Sequence, residues 1–364
     1  MRDYARSLVS RTVERWPALP FDGWGDTLHL VHMWTQIVGK IRLVNTPLVN
    51  HWWNSTLVVT PRGLTTGAVP SGEDAFQIDF DFIGHELSIV TNRGGRGAIP
   101  LRSMSVGGFY REVLDLMARL GLAEPRISRT PNEVAIAVPF AEDLDVRPYD
   151  RNRVEAFAAI LLNTYFVFEG FRASFLGKAS PVQFFWGGFD LASARFSGRR
   201  GPSYGGGTPP HTNAHVMHEA YSHELIAAGF WPGSGDVPHP QPEYYAYAMP
   251  ALDGLPAARI RPDAAGWSVE RGEFILPYEA VRTSSDPAAS LLEFLQSTYD
   301  RAADLGHWDR PLLEDQVLCD CDPVPFAMRR RPRSSSERLE QHEVQDDQQT
   351  AGARDGKNPR IEAG

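Results

Sequence analysis

IVGKIRLVNTPLVNHWWNSTLVVTPRG (37–63) and FLGKASPVQFFWGGFDLASARF (175–196) read as two versions of one phrase, and that reading decides the fold. Gly39-Lys40 stands opposite Gly177-Lys178. After a gap of five residues, Val49, Asn50, Trp53 and Arg62 stand opposite Val182, Gln183, Trp186 and Arg195. The parallel runs outward. LTTGAVPSG (64–72) matches IAAGFWPGS (226–234), Ala18–Phe21 matches Ala137–Phe140, and Phe109, Asp115 and Leu120-Gly121 match Phe294, Asp300 and Leu305-Gly306. Each match is weak alone, but their common order along the chain points to a tandem duplication.

Both copies carry the same periodicities. Apolar residues recur at helical spacing over 26–44 (Leu30, Trp34, Ile37, Ile41) and over 152–176. Each run closes near its Gly-Lys, which reads as a helix stop. Strand-like segments follow at 52–60, 63–69, 76–82, 86–91 and 98–101 in the first copy. In the second copy they fall at 184–196, 222–231, 243–249, 266–270 and 273–277. Closing helices are predicted over 104–120 and 287–305, and an extended stretch over 134–138. Short links between strands imply antiparallel pairing. The predicted class is α+β: a duplicated (β)-α-β4/5-α unit with curved antiparallel sheet and helices on one face. In topology alone this is similar to the duplicated architecture of the TATA-binding protein, a resemblance that carries no function. The first repeat is placed at 16–121 and the second at 134–306, with an inserted Gly/Pro-rich loop at 197–215, the two forming one domain. An N-terminal helix (1–15) and a disordered tail (327–364) flank them.

Charge and composition narrow the function classes. The 364 residues carry a net charge of −9, and ahead of Ala327 there are 28 basic against 38 acidic side chains. A body this acidic argues against nucleic acid as a partner, because phosphate binding needs a basic surface. The charged start MRDYARSLVSRTVERWP is no secretory signal, no stretch reads as a membrane span, and two cysteines make no disulfide framework. A cytoplasmic protein is expected, with no membrane partner and no cofactor implied.

The phrases HMWTQIVGKIRL, NHWW, VTPRGLTT, FWGGFDLA, RFSGRR, EAYSHE, AGFWPGSG, GEFILPYEAVRT and LLEFLQSTY occur in this order. Taken together they resemble a bacterial family catalogued only as a domain of unknown function. The resemblance covers about residues 16–310 and implies a shared fold and no activity.

Several constellations carry chemistry. Of 36 basic residues only Lys40, Lys178 and Lys357 are lysine, and the first two occupy equivalent places in the two copies. One reading is an anion-binding or catalytic amine, since a lysine ammonium loses its proton on burial more readily than a guanidinium. The other is a helix end too cramped for arginine. His223 and Glu224, beside Ser222, are the candidate acid–base pair, although neighbours on a strand point to opposite faces. His211, His215, His218 and His223 lack zinc-ligand spacing, so no metal site is assigned. His32, Gln36 and Lys40 repeat every helical turn as a polar stripe on an apolar helix. Rings at Trp52-Trp53, Phe184–Trp186, Phe230-Trp231 and Tyr244–Tyr247 place aromatics on both sheet faces. The expected function is binding or turnover of a small, anionic molecule between the sheet and the long helices. Lys40, Lys178, Arg62 and Arg195 would meet the charge, and His32, Gln36, Asn50, Gln183, Trp53 and Trp186 would give specificity. The alternative is a protein-interaction or homodimer module using the aromatic face. Whether the protein is an enzyme is left open by the sequence.

Overall fold

Helix α1 (Gly25–Asn45) is apolar nearly all round, and its residues from Thr27 to Ile41 are buried except His29 and His32. A helix of that composition has to run through the interior rather than along the surface. We describe it from a computed structural model that covers residues 14–234 and 240–314. The expected N-terminal helix and C-terminal tail lie outside the described residues.

The protein is a mixed α/β structure with two antiparallel sheets and, among the described residues, seven α-helices. After α1 come β1 (Val58–Thr60), β2 (Gly63–Thr65), β3 (Val69–Ser71), β4 (Asp74–Asp81), β5 (Glu86–Thr91), β6 (Arg96–Pro100) and helix α2 (Val106–Arg119). The first sheet has the order β1-β2-β4-β5-β6, with β3 paired to β4. Helix α3 (Arg151–Ala173) then leads into β7 (Gln183–Phe185), β8 (Asp190–Arg200), α4 (Ala214–Ala220), β9 (His223–Trp231) and β10 (Glu243–Met249). These are followed by β11 (Gly266–Ser268), β12 (Glu273–Pro277), α5 (Tyr278–Arg282), α6 (Pro287–Leu305) and α7 (Arg310–Leu313). The second sheet runs β11-β12-β10-β9-β8-β7. Leu57 and Phe184 exchange N–H···O bonds of 2.9 Å each way, which joins the two sheets edge to edge.

Alternation decides which faces are buried. In β4, Phe76, Ile78 and Phe80 point into the core while Gln77 and Asp79 lie on the partly open face. In β10, Tyr244 and Ala246 face the helices, and Tyr244 Oη lies 3.1 Å from Thr164 on α3. One hydrophobic core spans both halves of the chain, with Trp34 stacked on Phe109 at 4.8 Å and Phe157 stacked on Phe189 at 5.4 Å. Helix α3 is long and apolar enough to cross a membrane by length and composition, yet Phe157, Ile160, Leu161, Phe168 and Phe171 are all packed into this core.

Four local expectations are corrected. Gly39-Lys40 does not stop α1, which continues to Asn45, and α3 ends at Ala173, ahead of Gly177-Lys178. The stretch 52–60 is a strand only from Val58; Asn50–Trp52 is a 3₁₀ turn with His51 in the left-handed region. The segment 134–138 is no strand. The inserted loop is partly ordered into regular structure, since β8 runs on to Arg200 and α4 begins at Ala214. At Gly39 a tertiary neighbour accounts for the glycine: a Cβ would fall 2.1 Å from the Trp186 indole.

Candidate functional site

The stripe on α1 is where the two halves meet. His32 Nε2 lies 2.9 Å from the Gly187 carbonyl. Gln36 donates to the Asn132 carbonyl at 2.7 Å and accepts from the Asn132 N–H at 2.9 Å, so its amide clamps that peptide from both sides. Lys40, 4% exposed, donates to Asn132 Oδ1 and lies 5.5 Å from the Trp186 ring centroid. The Trp186 indole N–H in turn donates to Ser55 O at 2.6 Å. Burial pulls the Lys40 ammonium down to about 8, against the opposing pull of Glu133. Burial also lowers His32, to about 4, so its imidazole is neutral at pH 7.

Next to Asn132, the partner of Gln36 and Lys40, sits an acid that the sequence reading missed. Glu133 adopts a left-handed backbone (φ 63°) and its N–H donates to Pro210 O at 2.8 Å. The residue is exposed, yet its carboxylate lies against Gly187 and Gly188 of the Trp186–Phe189 turn. A Cβ on Gly187 would lie 2.2 Å from Glu133 Oε1, and one on Gly188 would lie 3.5 Å from Oε2 and 3.0 Å from Asp190 Oδ1. Gly187 is therefore needed for the Glu133 carboxylate to come this close to the main chain, and a side chain at Gly188 would be tight against Asp190. Among the described residues no hydrogen bond reaches the Glu133 carboxylate. Burial, reinforced by Asp190 and opposed by Lys40, raises it to about 7. Burial raises Asp190 to about 6, although Tyr245 donates a hydrogen bond to it.

Glu133 opens into a cleft of about 620 Å³. The N-terminal half of α1 forms one wall (Asp26, Leu28, His29, Met33), and residues 133–138 with Asp143 and Arg147 form the other. Phe21, Phe189 and Trp231 add aromatic surface. Arg147 is engaged by Asp143 at 2.7 Å, and His29 Nε2 lies 3.6 Å from the same carboxylate. Three acidic side chains, Asp26, Glu133 and Asp143, line this cleft against one guanidinium, Arg147, and the imidazoles of His29 and His32. Among the described residues no three His, Cys, Asp or Glu side chains are grouped to hold a metal ion.

The four cations expected to share an anion do not converge. Lys178 donates to His51 Nε2 at 3.0 Å and lies over Trp53 and Phe196, 5.3 and 5.0 Å from their centroids. His51 Nδ1 therefore carries the ring proton and donates to Ala220 O at 3.1 Å. Each lysine thus rests against a tryptophan of the other half, Lys40 on Trp186 and Lys178 on Trp53. Arg62 lies at the surface, paired with Asp81 at 2.6 Å. Arg195 is buried on the helix side of the second sheet, over Phe171 at 3.5 Å and Tyr299 at 4.3 Å, and donates to Phe171 O. Asn50 is exposed in its turn, and Gln183 is buried in β7 with no hydrogen-bond partner for Oε1. Of the expected ligand residues only His32 lines the cleft, with Gln36 and Lys40 directly behind it.

The acid–base pair is likewise not assembled. Glu224 accepts from Ser197 at 2.9 Å and from Arg199 at 2.8 Å, while His223 bonds Ser222 Oγ at 3.1 Å. Neighbours on a strand diverge, and these two do.

A model of a family of unknown function, DUF5996, matches residues 16–315. The chain belongs to this family. The match spans both sheets and the cleft, so the cleft is a feature of the DUF5996 region and not of the flanking segments. No curated protein and no solved structure matches the chain.

Proposed function

We propose that this DUF5996 protein binds a small molecule in the bacterial cytoplasm, in the cleft between α1 and residues 133–147, with Glu133 as the anchoring group. One observation carries the reading. The Glu133 carboxylate lines a cleft of about 620 Å³, lies against the Gly187 main chain, and has no hydrogen bond from the described residues. Packed against the glycine turn without a donor, the charged carboxylate carries a free-energy cost. A ligand that supplies the donors recovers that free energy. The volume is also within the roughly 300–1,000 Å³ usual for small-molecule sites. We read the two halves as copies of one ancestral unit; the site then arises where the linker between copies, Asn132-Glu133, is gripped by the polar stripe of α1.

Against the rival reading, an aromatic sheet face for a protein partner, stands the cover over that face. Tyr221 stacks on Tyr204 at 4.9 Å and lies 3.1 Å, oxygen to oxygen, from Tyr247. The test is a thermal-shift screen of chemically mixed small molecules on wild type and on A135W, whose exposed residue lines the cleft. A ligand at one hundred times its Kd stabilises by about 2.7 kcal/mol. Hits lost in A135W, with its fold checked by circular dichroism, support the cleft. Hits that survive A135W place the site elsewhere and end the proposal.

A further inference from the structure

We infer that the ligand of this cleft is an organic cation: an amine or quaternary ammonium carrying an apolar or aromatic body. The inference rests on the cleft being a ligand site and adds the chemistry that would recognise it. The charge pattern is the first support. Asp26, Glu133 and Asp143 line the cleft; of the described lining residues the basic ones beside His32 are Arg147 and His29, both already engaged by Asp143, at 2.7 and 3.6 Å. Lys40 lies behind Glu133, committed to Asn132 and the Trp186 ring, and offsets part of the Glu133 charge from that side, away from the cleft lining. An anionic ligand would therefore meet carboxylates with no free cation among the described lining residues.

The walls are the second support. The rings of Phe21 and Phe189 line the same space, and aromatic faces attract a desolvated cation by about 1–2 kcal/mol each. At the rim Ile136 is 82% exposed and Val138 is also open, both lining the cleft. Leaving such side chains in water is unfavourable unless a bound molecule covers them, which argues for an apolar body beyond the charged head. A third support is the Glu133 carboxylate itself: it lacks donors, and an ammonium brings up to three. Its held-up proton affinity, the work of burial and Asp190, is what a nearby cation relieves.

Tryptamine, indole-3-ethanol and indole-3-acetate share an apolar body and differ in head group, so isothermal titration of all three on the full chain separates the possibilities. Tryptamine is expected to bind at least tenfold more tightly than the alcohol, with the acetate weakest. In E133Q the tryptamine affinity is expected to fall at least tenfold, while that of the alcohol stays within about twofold. Equal affinities for the three, or preference for the acetate, overturn the cation assignment and leave the cleft as a site for another class. Should none of them bind while neutral compounds from the screen do, the assignment falls in the same way. If nothing at all binds, the cleft reading falls with it.

Discussion

Replacing Glu133 by glutamine removes a charge without changing shape, and its effect on stability should depend on pH with a definite sign. The folded-state proton affinity of Glu133 is raised, from 4.5 to about 7, so the native state holds this proton more tightly than the unfolded chain. A group of that kind lowers stability as pH rises through that window, and the loss is complete above about 7. Such a shift corresponds to about 3 kcal/mol at about 1.4 kcal/mol per unit. Because the loop is open to solvent on one side, screening reduces the expected figure to about 1–2 kcal/mol. Lys40, losing its partner, trims the gain further. Urea unfolding should therefore find E133Q more stable than wild type by about 1–2 kcal/mol at pH 8 and equal to it near pH 4.5. The other titrating neighbours, Lys40 on α1, Asp190 on β8 and Tyr221 ahead of β9, are present in both proteins, so the difference isolates residue 133. An E133Q that is equally or less stable than wild type at both pH values would refute a withheld carboxylate.

Four further outcomes follow from the same geometry. G39A should destabilise by about 1–3 kcal/mol in urea, against the gain of up to about 1 kcal/mol usual for Gly→Ala in a helix, because the new Cβ would strike the Trp186 indole. H32Q should flatten the acid side of the stability profile: a histidine lowered to about 4 by burial costs stability as pH falls from 6.5 through 4, the opposite sign to Glu133, and urea midpoints across that range read the difference. G187A should leave overall stability within about 1 kcal/mol, since the clash is with the movable end of Glu133. In that variant the Glu133 titration, followed by carbon-13 NMR, should drop toward that of an ordinary glutamate. R195K should lose about 2–4 kcal/mol, because Arg195 is 3% exposed and its planar contacts with Phe171 and Tyr299 have no lysine equivalent.

The elements with clean periodicity were legible. The alternation of 76–82 appears as β4, and 86–91, 243–249 and 273–277 appear as β5, β10 and β12 with unchanged ends. The polar stripe His32, Gln36, Lys40 was legible as unusual, because three polar residues one turn apart on a buried helix need partners. What it met was not legible, since Asn132 and Glu133 lie in an aperiodic Pro-flanked link. The one signal in their favour was Trp-Gly-Gly-Phe-Asp, where two glycines ahead of an acid mark a close approach. The grouping of Lys40 with Lys178, Arg62 and Arg195 failed because equivalent places in a repeat need not converge. Each lysine went instead to the tryptophan of the other half, and Arg195 went to the helix side of its sheet, one residue of strand phase away from the open face. The pairing of His223 with Glu224 failed for the same alternation, now within one strand.

The most direct test is the titration of Glu133 itself, with glutamate side-chain carbonyls labelled by carbon-13 and the resonance assigned through E133Q. A carboxyl packed against the glycine turn in the cleft lining should titrate at about 7 and shift downward when an amine occupies the cleft. A midpoint near 4.5, unmoved by any ligand that binds, would mean an ordinary solvated side chain and no anchoring acid.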